Sequence, residues 1–237
     1  MRPIELSPRL RAVAELVPPG SRFADVGTDH AYLPVWLLQR GVIERAVAAD
    51  LREGPLDRAR ATAERYDLTE YMDFRLCDGL TGIAPEEADT IAIAGMGGET
   101  IAAILAAAPW TKGERKCLIL QPMSAQPELR LWLQQNGYTI RREFLCQEGR
   151  TLYTVFLVVP GEMPPLTPAE QWAGRQCPED NDPLRGIYLA DLRSRADRAV
   201  EGLRRSSRGS DDARRLELEA VLSGLDQMIE EWKQWQP

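Results

Sequence analysis

The chain has 237 residues, 44% hydrophobic and 27% charged, which is ordinary for a globular protein and excludes a disordered or fibrous one. Its apolar runs, such as 90–94 and 154–159, fall far short of the roughly 18 residues that cross a bilayer. A net charge of −7 argues against a generally basic nucleic-acid binder. Residues 1–8 hold no apolar signal region, so a cytoplasmic protein without a membrane partner is expected. Cys77, Cys117, Cys146 and Cys177 are far apart and His30 is the single histidine, so free thiols and no metal site are expected.

In chain order, residues 6–16 read as a helix with Ser7 as N-cap and Pro8 as its first residue. Strands are expected at 22–26, 45–50, 72–76, 90–94 and 116–120, the last stopped by Gln121-Pro122. Helices are expected between them at 32–41, 55–66 and 99–107, with another at 127–137. Residues 139–146 and 152–159 read as a closing antiparallel pair around Glu148-Gly149. The alternation predicts an α/β domain with seven strands over residues 1–160.

Residues 160–184 hold six of the 17 prolines and read as a linker, with a short helix near 169–172. Beyond it the apolar spacing alternates between three and four, at Leu189, Leu192, Ala196, Ala199 and Leu203. It does so again at Leu218, Val221, Leu225, Met228, Trp232 and Trp235. Residues 185–237 are therefore expected to form an antiparallel helical hairpin of coiled-coil type, with a turn at 208–212. Charge is uneven: residues 185–208 carry a net +4, and every cation among them is an arginine.

Gly27, just after the first strand, lets backbone approach a ligand, but the G-x-G-x-x-G cradle of a dinucleotide site is missing. Acids stand at three successive strand ends: Asp25 before the glycine, Asp50, and Asp78 before Gly79. They face one crevice in an α/β sheet and suit an ammonium, a ribose and an adenine amine. S-adenosylmethionine, cationic and free of phosphate, fits that set, although single acids in such places also cap turns. The glycines of Ala94-Gly-Met-Gly-Gly98 would let a base lie on the backbone beside Met96.

In order along the chain stand Leu6-Ser-Pro-Arg-Leu10, Ala24-Asp-Val-Gly-Thr-Asp-His-Ala-Tyr-Leu-Pro34, Ala49-Asp50 with Gly54-Pro55-Leu56, Asp78-Gly79-Leu80, Ile93-Ala-Gly-Met-Gly-Gly98 and Leu118-Ile-Leu-Gln-Pro122. With these motifs, residues 1–160 resemble the bacterial tRNA adenine N1-methyltransferases that modify the adenine at position twenty-two. The resemblance implies a Rossmann-like seven-stranded class I methyltransferase domain, S-adenosyl-L-methionine as cofactor and tRNA as partner. It implies cofactor contacts at Asp25, Gly27, Asp29, His30, Asp50, Leu51, Asp78, Gly79, Ala94, Gly95 and Met96. Met123 stands where the family often has Asn after Gln-Pro, and Asp50 where it often has Glu.

A ring nitrogen with a free lone pair needs no general base, so orientation and charge stabilisation are the expected contributions to catalysis. Asp29 is the first candidate to meet the developing charge and His30 the second; as alternatives, Asp29 caps the helix near Tyr32 and His30 orients the glycine loop. Phosphate contacts are expected from Arg9, Arg11, Arg193, Arg195, Arg198, Arg204 and Arg205, with Arg185 and Arg208 on the same helical stretch and Arg9 able instead to reach the cofactor carboxylate. A monomer is expected. Two competing readings are a non-catalytic RNA- or partner-binding module on this fold and a small-molecule methyltransferase.

Overall fold

Four consecutive buried residues, Phe23–Val26, form β1, and a strand with no exposed face belongs at the centre of a parallel sheet. The computed structural model, described over residues 3–180, 182–205 and 211–236, places it there. β1 pairs in parallel with β2 (Ala46–Asp50) on one side and β4 (Thr90–Gly97) on the other. β3 (Met72–Leu76) extends the sheet beyond β2, and β5 (Cys117–Ser124) extends it beyond β4. β7 (Thr151–Pro160) is antiparallel to both β5 and β6 (Tyr138–Glu148), which completes the order β3-β2-β1-β4-β5-β7-β6.

Helices cover both faces, and the strand pleat divides the core between them. Ala24, Val26, Ile91, Ile93, Leu118 and Leu120 pack on Ile101 and Leu105 of α4 (Gly98–Ala107) and on Leu129 and Leu133 of α5 (Gln126–Gln135). Phe23, Ala46, Ala48, Ala92 and Ile119 face the opposite way. They meet Val13 of α1 (Pro8–Ala14), Val35 and Leu37 of α2 (Tyr32–Gln39), and Ala59 and Ala63 of α3 (Glu53–Arg65). The Ser7 hydroxyl caps α1 by accepting from the Leu10 N–H at 3.5 Å. α1 is shorter than expected, because after Ala14 the chain tightens into two i→i+3 turns that lead to Pro18.

The closing antiparallel pair is slightly longer at both ends than the sequence predicts, and two parallel strands run well past their expected carboxyl ends. β4 continues through Gly95 and Met96, and β5 runs past Gln121-Pro122 to Ser124. The proline is tolerated because it pairs with Met96 beyond a bulge, where the ladder is already broken.

Within 161–184, α6 (Pro168–Ala173) begins with a capping box between Thr167 and Glu170. Its Ala169 and Ala173 join Tyr188, Leu189, Leu192 and Ala196 of α7 (Arg185–Arg204) and Val221, Leu225 and Met228 of α8 (Asp211–Trp235) in one apolar cluster. Arg193 pairs with Asp226 and Arg204 with Glu219, so α7 and α8 run antiparallel. Most of the expected turn at 208–212 lies outside the described residues.

The tail is tied to the sheet by Arg130 of α5, which has no exposed side-chain surface. It donates to Glu143 of β6 at 2.9 and 2.6 Å and to the carbonyls of Gln171 and Trp172 at 2.9 Å each. Burial works against the Arg130 charge, but Glu143 and Tyr188 together more than offset it and raise the guanidinium pKa above its ordinary value. Glu143→Gln leaves that cation buried without its counter-charge. Urea denaturation is expected to show a loss of about 3–5 kcal/mol; a loss under 1 kcal/mol would contradict this role.

Candidate active site

The sheet changes winding direction between β1 and β4, and such a switch point opens a crevice at the carboxyl ends of the strands. β1 leaves the sheet through Gly27, whose φ of +79° is costly for a residue with a Cβ. The Gly27 and Thr28 N–H groups both donate to the Ala49 carbonyl, at 2.8 and 3.0 Å. They are turned toward β2 and do not form an open phosphate cradle. A Cβ on Gly27 would run into the Met96 Cε, so the glycine is also where β4's loop crosses β1's.

Asp25 is only 7% exposed. Burial pushes its carboxyl pKa up to about 6, with a further rise from Asp50; the nearby Thr28 hydroxyl works the other way. That hydroxyl is itself buried and has no hydrogen-bond partner, so its help stops short of a hydrogen bond. Asp50 accepts the Arg52 N–H at 2.9 Å. The Cys77 N–H donates to the Asp50 carbonyl at 3.0 Å, which sets the start of the Asp78-Gly79 turn against the end of β2. Leu51 and Leu76 are exposed beside these acids, 65% and 57%, and leave apolar surface at the crevice rim.

Asp29 is not a helix cap: α2 begins after Ala31, whose φ of 52° gives the N-cap position no side-chain hydrogen bond. Its carboxylate is instead paired with Arg58 of α3 and lies 3.6 Å from the His30 Nε2. His30 stacks on Tyr32 with ring centroids 5.0 Å apart. Arg58 carried no sequence signal as a partner, since helical pattern alone does not say which cation on α3 faces β1.

The sequence reading also passed over Gln121. This residue is completely buried, and its Oε1 accepts from the Arg9 Nη1 at 2.7 Å and the Gly95 N–H at 3.0 Å. Arg9 is thus held inside the cleft, whereas Arg11 is exposed and paired with Glu15 at 3.0 Å. On the tail, Arg193, Arg195, Arg204 and Arg205 pair with Asp226, Asp191, Glu219 and Glu201, and Arg198 donates to the Ser194 hydroxyl. Arg185 is turned inward onto the Ala173 and Gly174 carbonyls, and Arg208 lies outside the described residues. No His, Cys, Asp or Glu cluster suited to a metal ion occurs among the described residues, and all four cysteines are free thiols.

This is the architecture of an S-adenosylmethionine-dependent methyltransferase, and a methyltransferase-domain family model matches residues 6–156. The chain is 37% identical to the Bacillus subtilis tRNA (adenine(22)-N(1))-methyltransferase over 162 residues, 68% of each protein. A crystal structure of the B. subtilis m1A22 tRNA methyltransferase superposes with a TM-score of 0.86 at 29% identity, covering 95% of this chain and 99% of that one. Streptococcus pneumoniae Sp1610 in complex with S-adenosyl-L-methionine gives a TM-score of 0.82 at 30% identity, over 95% and 100% of the two chains. The chain belongs to the tRNA (adenine(22)-N1)-methyltransferase family.

The residues present fit the cofactor. The crevice offers carboxylates at three strand ends, and the turn N–H groups that would hold a phosphate are occupied by Ala49. Gly27→Ala is expected to cost about 1–2 kcal/mol from its left-handed backbone alone, before any displacement of Met96. Thermal or urea denaturation checks it, and an unchanged midpoint would remove the conformational argument.

Proposed function

We propose that this chain transfers a methyl group from S-adenosylmethionine to N1 of adenine twenty-two in tRNA, as a cytoplasmic monomer. The observation that carries the reading is the acceptor-rich, phosphate-excluding crevice in a chain 37% identical to the B. subtilis enzyme. Both competing readings leave the three aligned acids or the arginine-bearing hairpin without a role. No helix among the described residues is long and apolar enough to cross a membrane.

When bound, the cofactor supplies an electrophilic methyl group on a sulfonium. Asp25 is positioned for the amino-acid ammonium, Asp50 for the ribose hydroxyls, and Asp78 with Gly79 for the adenine edge. Leu51 and the Ala94–Met96 backbone complete the walls. Asp29, held in place by Arg58, faces the positive charge that grows on the adenine ring as N1 is alkylated, with His30 beside it. N1 lies on the pairing edge, so the base must be exposed at a cost of a few kcal/mol, offset by contacts to the surrounding RNA. Arg11, Arg193, Arg195, Arg198, Arg204 and Arg205 supply those contacts. Exposed ion pairs are worth about 0–1 kcal/mol each, so their acids yield readily to phosphate.

Incubation with unmodified tRNA, followed by nucleoside analysis, should give N1-methyladenosine. N6-methyladenosine or a methylated guanosine, with rearrangement of the product excluded, would refute the assignment. The same assay across salt concentrations should show a linear dependence of log KM on log salt; a flat dependence would remove the arginines from the interface.

Cofactor binding should depend on the charge of Asp25. A cationic ligand favours its carboxylate, so affinity is full above a pH of about 6 and falls as pH drops through that value. Titration calorimetry should find binding weakened about tenfold by one pH unit below it. Asp25→Asn should bind more weakly and without that dependence; a wild-type affinity flat between pH 5 and 7 would contradict the contact.

A further inference from the structure

At the bulge where β4 and β5 shift register, Gly95 drops out of the ladder with a φ of +79°. Its N–H then has no strand partner, and the Gln121 side chain supplies one. Both neighbours of the Gln121 Oε1, the Arg9 guanidinium and the Gly95 N–H, can only donate, so the amide must present its oxygen to them. The Nε2 side donates to the Pro122 carbonyl at 3.1 Å. Every polar atom of this buried amide is therefore engaged, and its orientation is fixed.

Arg9 is the unusual member of the set. Its guanidinium is half-buried, and among the described residues no carboxylate lies within the 4.0 Å of an ion pair. Many exposed arginines do have a carboxylate partner, as Arg11, Arg195 and Arg205 do, and the inward-turned Arg185 is held by two carbonyls. The Arg9 guanidinium is held by a neutral glutamine and lies 5.9 Å from the centre of the Tyr153 ring, while the carboxylate that Arg9 does meet, Glu148, accepts its backbone N–H at 3.4 Å. The guanidinium sits beside Gly95, next to the Met96 side chain that covers Gly27. A cation held in this way at the crevice is suited to an anionic oxygen group brought by a reactant.

We infer that Gln121 is a positioning residue for methyl transfer: it pins the Gly95 bulge and presents the Arg9 guanidinium, held by no ion pair, to a carboxylate or phosphate of a reactant. The cofactor has a carboxylate and the RNA has phosphates, and both carry the same chemistry. The inference rests on the methyl-transfer reading, whose failure would appear first, as a wild-type protein inactive on tRNA.

The test compares Arg9→Met, Arg9→Lys and Gln121→Glu with wild type. Gln121→Glu keeps both acceptor contacts, adds a charge and gives up the Nε2 donation to the Pro122 carbonyl, so it carries the test if Arg9→Met does not fold, with thermal denaturation reading the cost of the lost donation. For each, calorimetry gives the cofactor dissociation constant, steady-state kinetics the tRNA KM and kcat, and thermal denaturation the integrity of the fold. Arg9→Met and Gln121→Glu should weaken the same reactant at least tenfold and leave the other within twofold, while Arg9→Lys recovers part of the loss. A rise in the cofactor constant identifies the carboxylate, and a rise in the tRNA KM the phosphate. The inference is overturned if both constants stay within twofold in Arg9→Met, if Gln121→Glu behaves as wild type, if the two variants affect different reactants, or if both constants rise together.

Discussion

The parallel pairing of β1 on both its edges is the constraint on which the rest depends. Because Phe23–Val26 is buried on both faces and hydrogen-bonded on both sides, the chain can leave it only over the end of the sheet. Gly27 makes that exit, and the Ala49 carbonyl anchors it to the neighbouring strand. The same pairing aligns Asp25 with Ala48 and Ala92, which brings the ends of β2 and β4 level with the turn. Acids separated by tens of residues in the chain thereby come to one rim, and no loop has to be ordered separately to gather them.

Such convergence has an electrostatic cost. Asp25 loses most of its hydration, which raises its pKa, and the charge of Asp50 raises it further. A site stabilised only for itself would place a cation there. Arg58 is instead used on Asp29, and Arg9 on a neutral glutamine. Among the described residues Asp25 has no ion pair and neither does the Arg9 guanidinium, within one crevice. A reactant carrying both an ammonium and an anionic oxygen relieves both deficits at once, and it gains affinity because the empty protein lacks those contacts.

The alternation of apolar runs with amphipathic stretches made the seven strands and the order of the helices legible in the sequence. Strand-end acids could likewise be read, because an acid just past a buried run has few other places to go. The bulge at Gly95 could not. A strand that continues past Gln121-Pro122 looks, residue by residue, like a strand that stops there, and only the partner strand decides. Gln121 was hidden for the same reason: whether a glutamine ends a strand or satisfies a stray N–H in its neighbour depends on cross-strand register. The alternative reading of Asp29 as a helix cap fails because the helix starts two residues later, from a left-handed alanine.

The tail involves two kinds of arginine within an acidic chain. Its arginines lie on α7, and the acids that neutralise them sit on α7 itself or across the seam on α8, at Asp226 and Glu219. These pairs are solvent-exposed, so each carboxylate can return to water at little cost when a phosphate replaces it. The buried pair of Arg130 and Glu143 behaves in the opposite way. Arg130 also holds the carbonyls of Gln171 and Trp172, and therefore α6, against α5. Release of Arg130 would expose an unpaired charge, so the angle between hairpin and sheet is held by an interaction that no polyanion can compete for. The exposed arginines are exchangeable and the buried one is not. The first set meets the condition that the proposed phosphate contacts require, while the second ties α6 to α5 and β6.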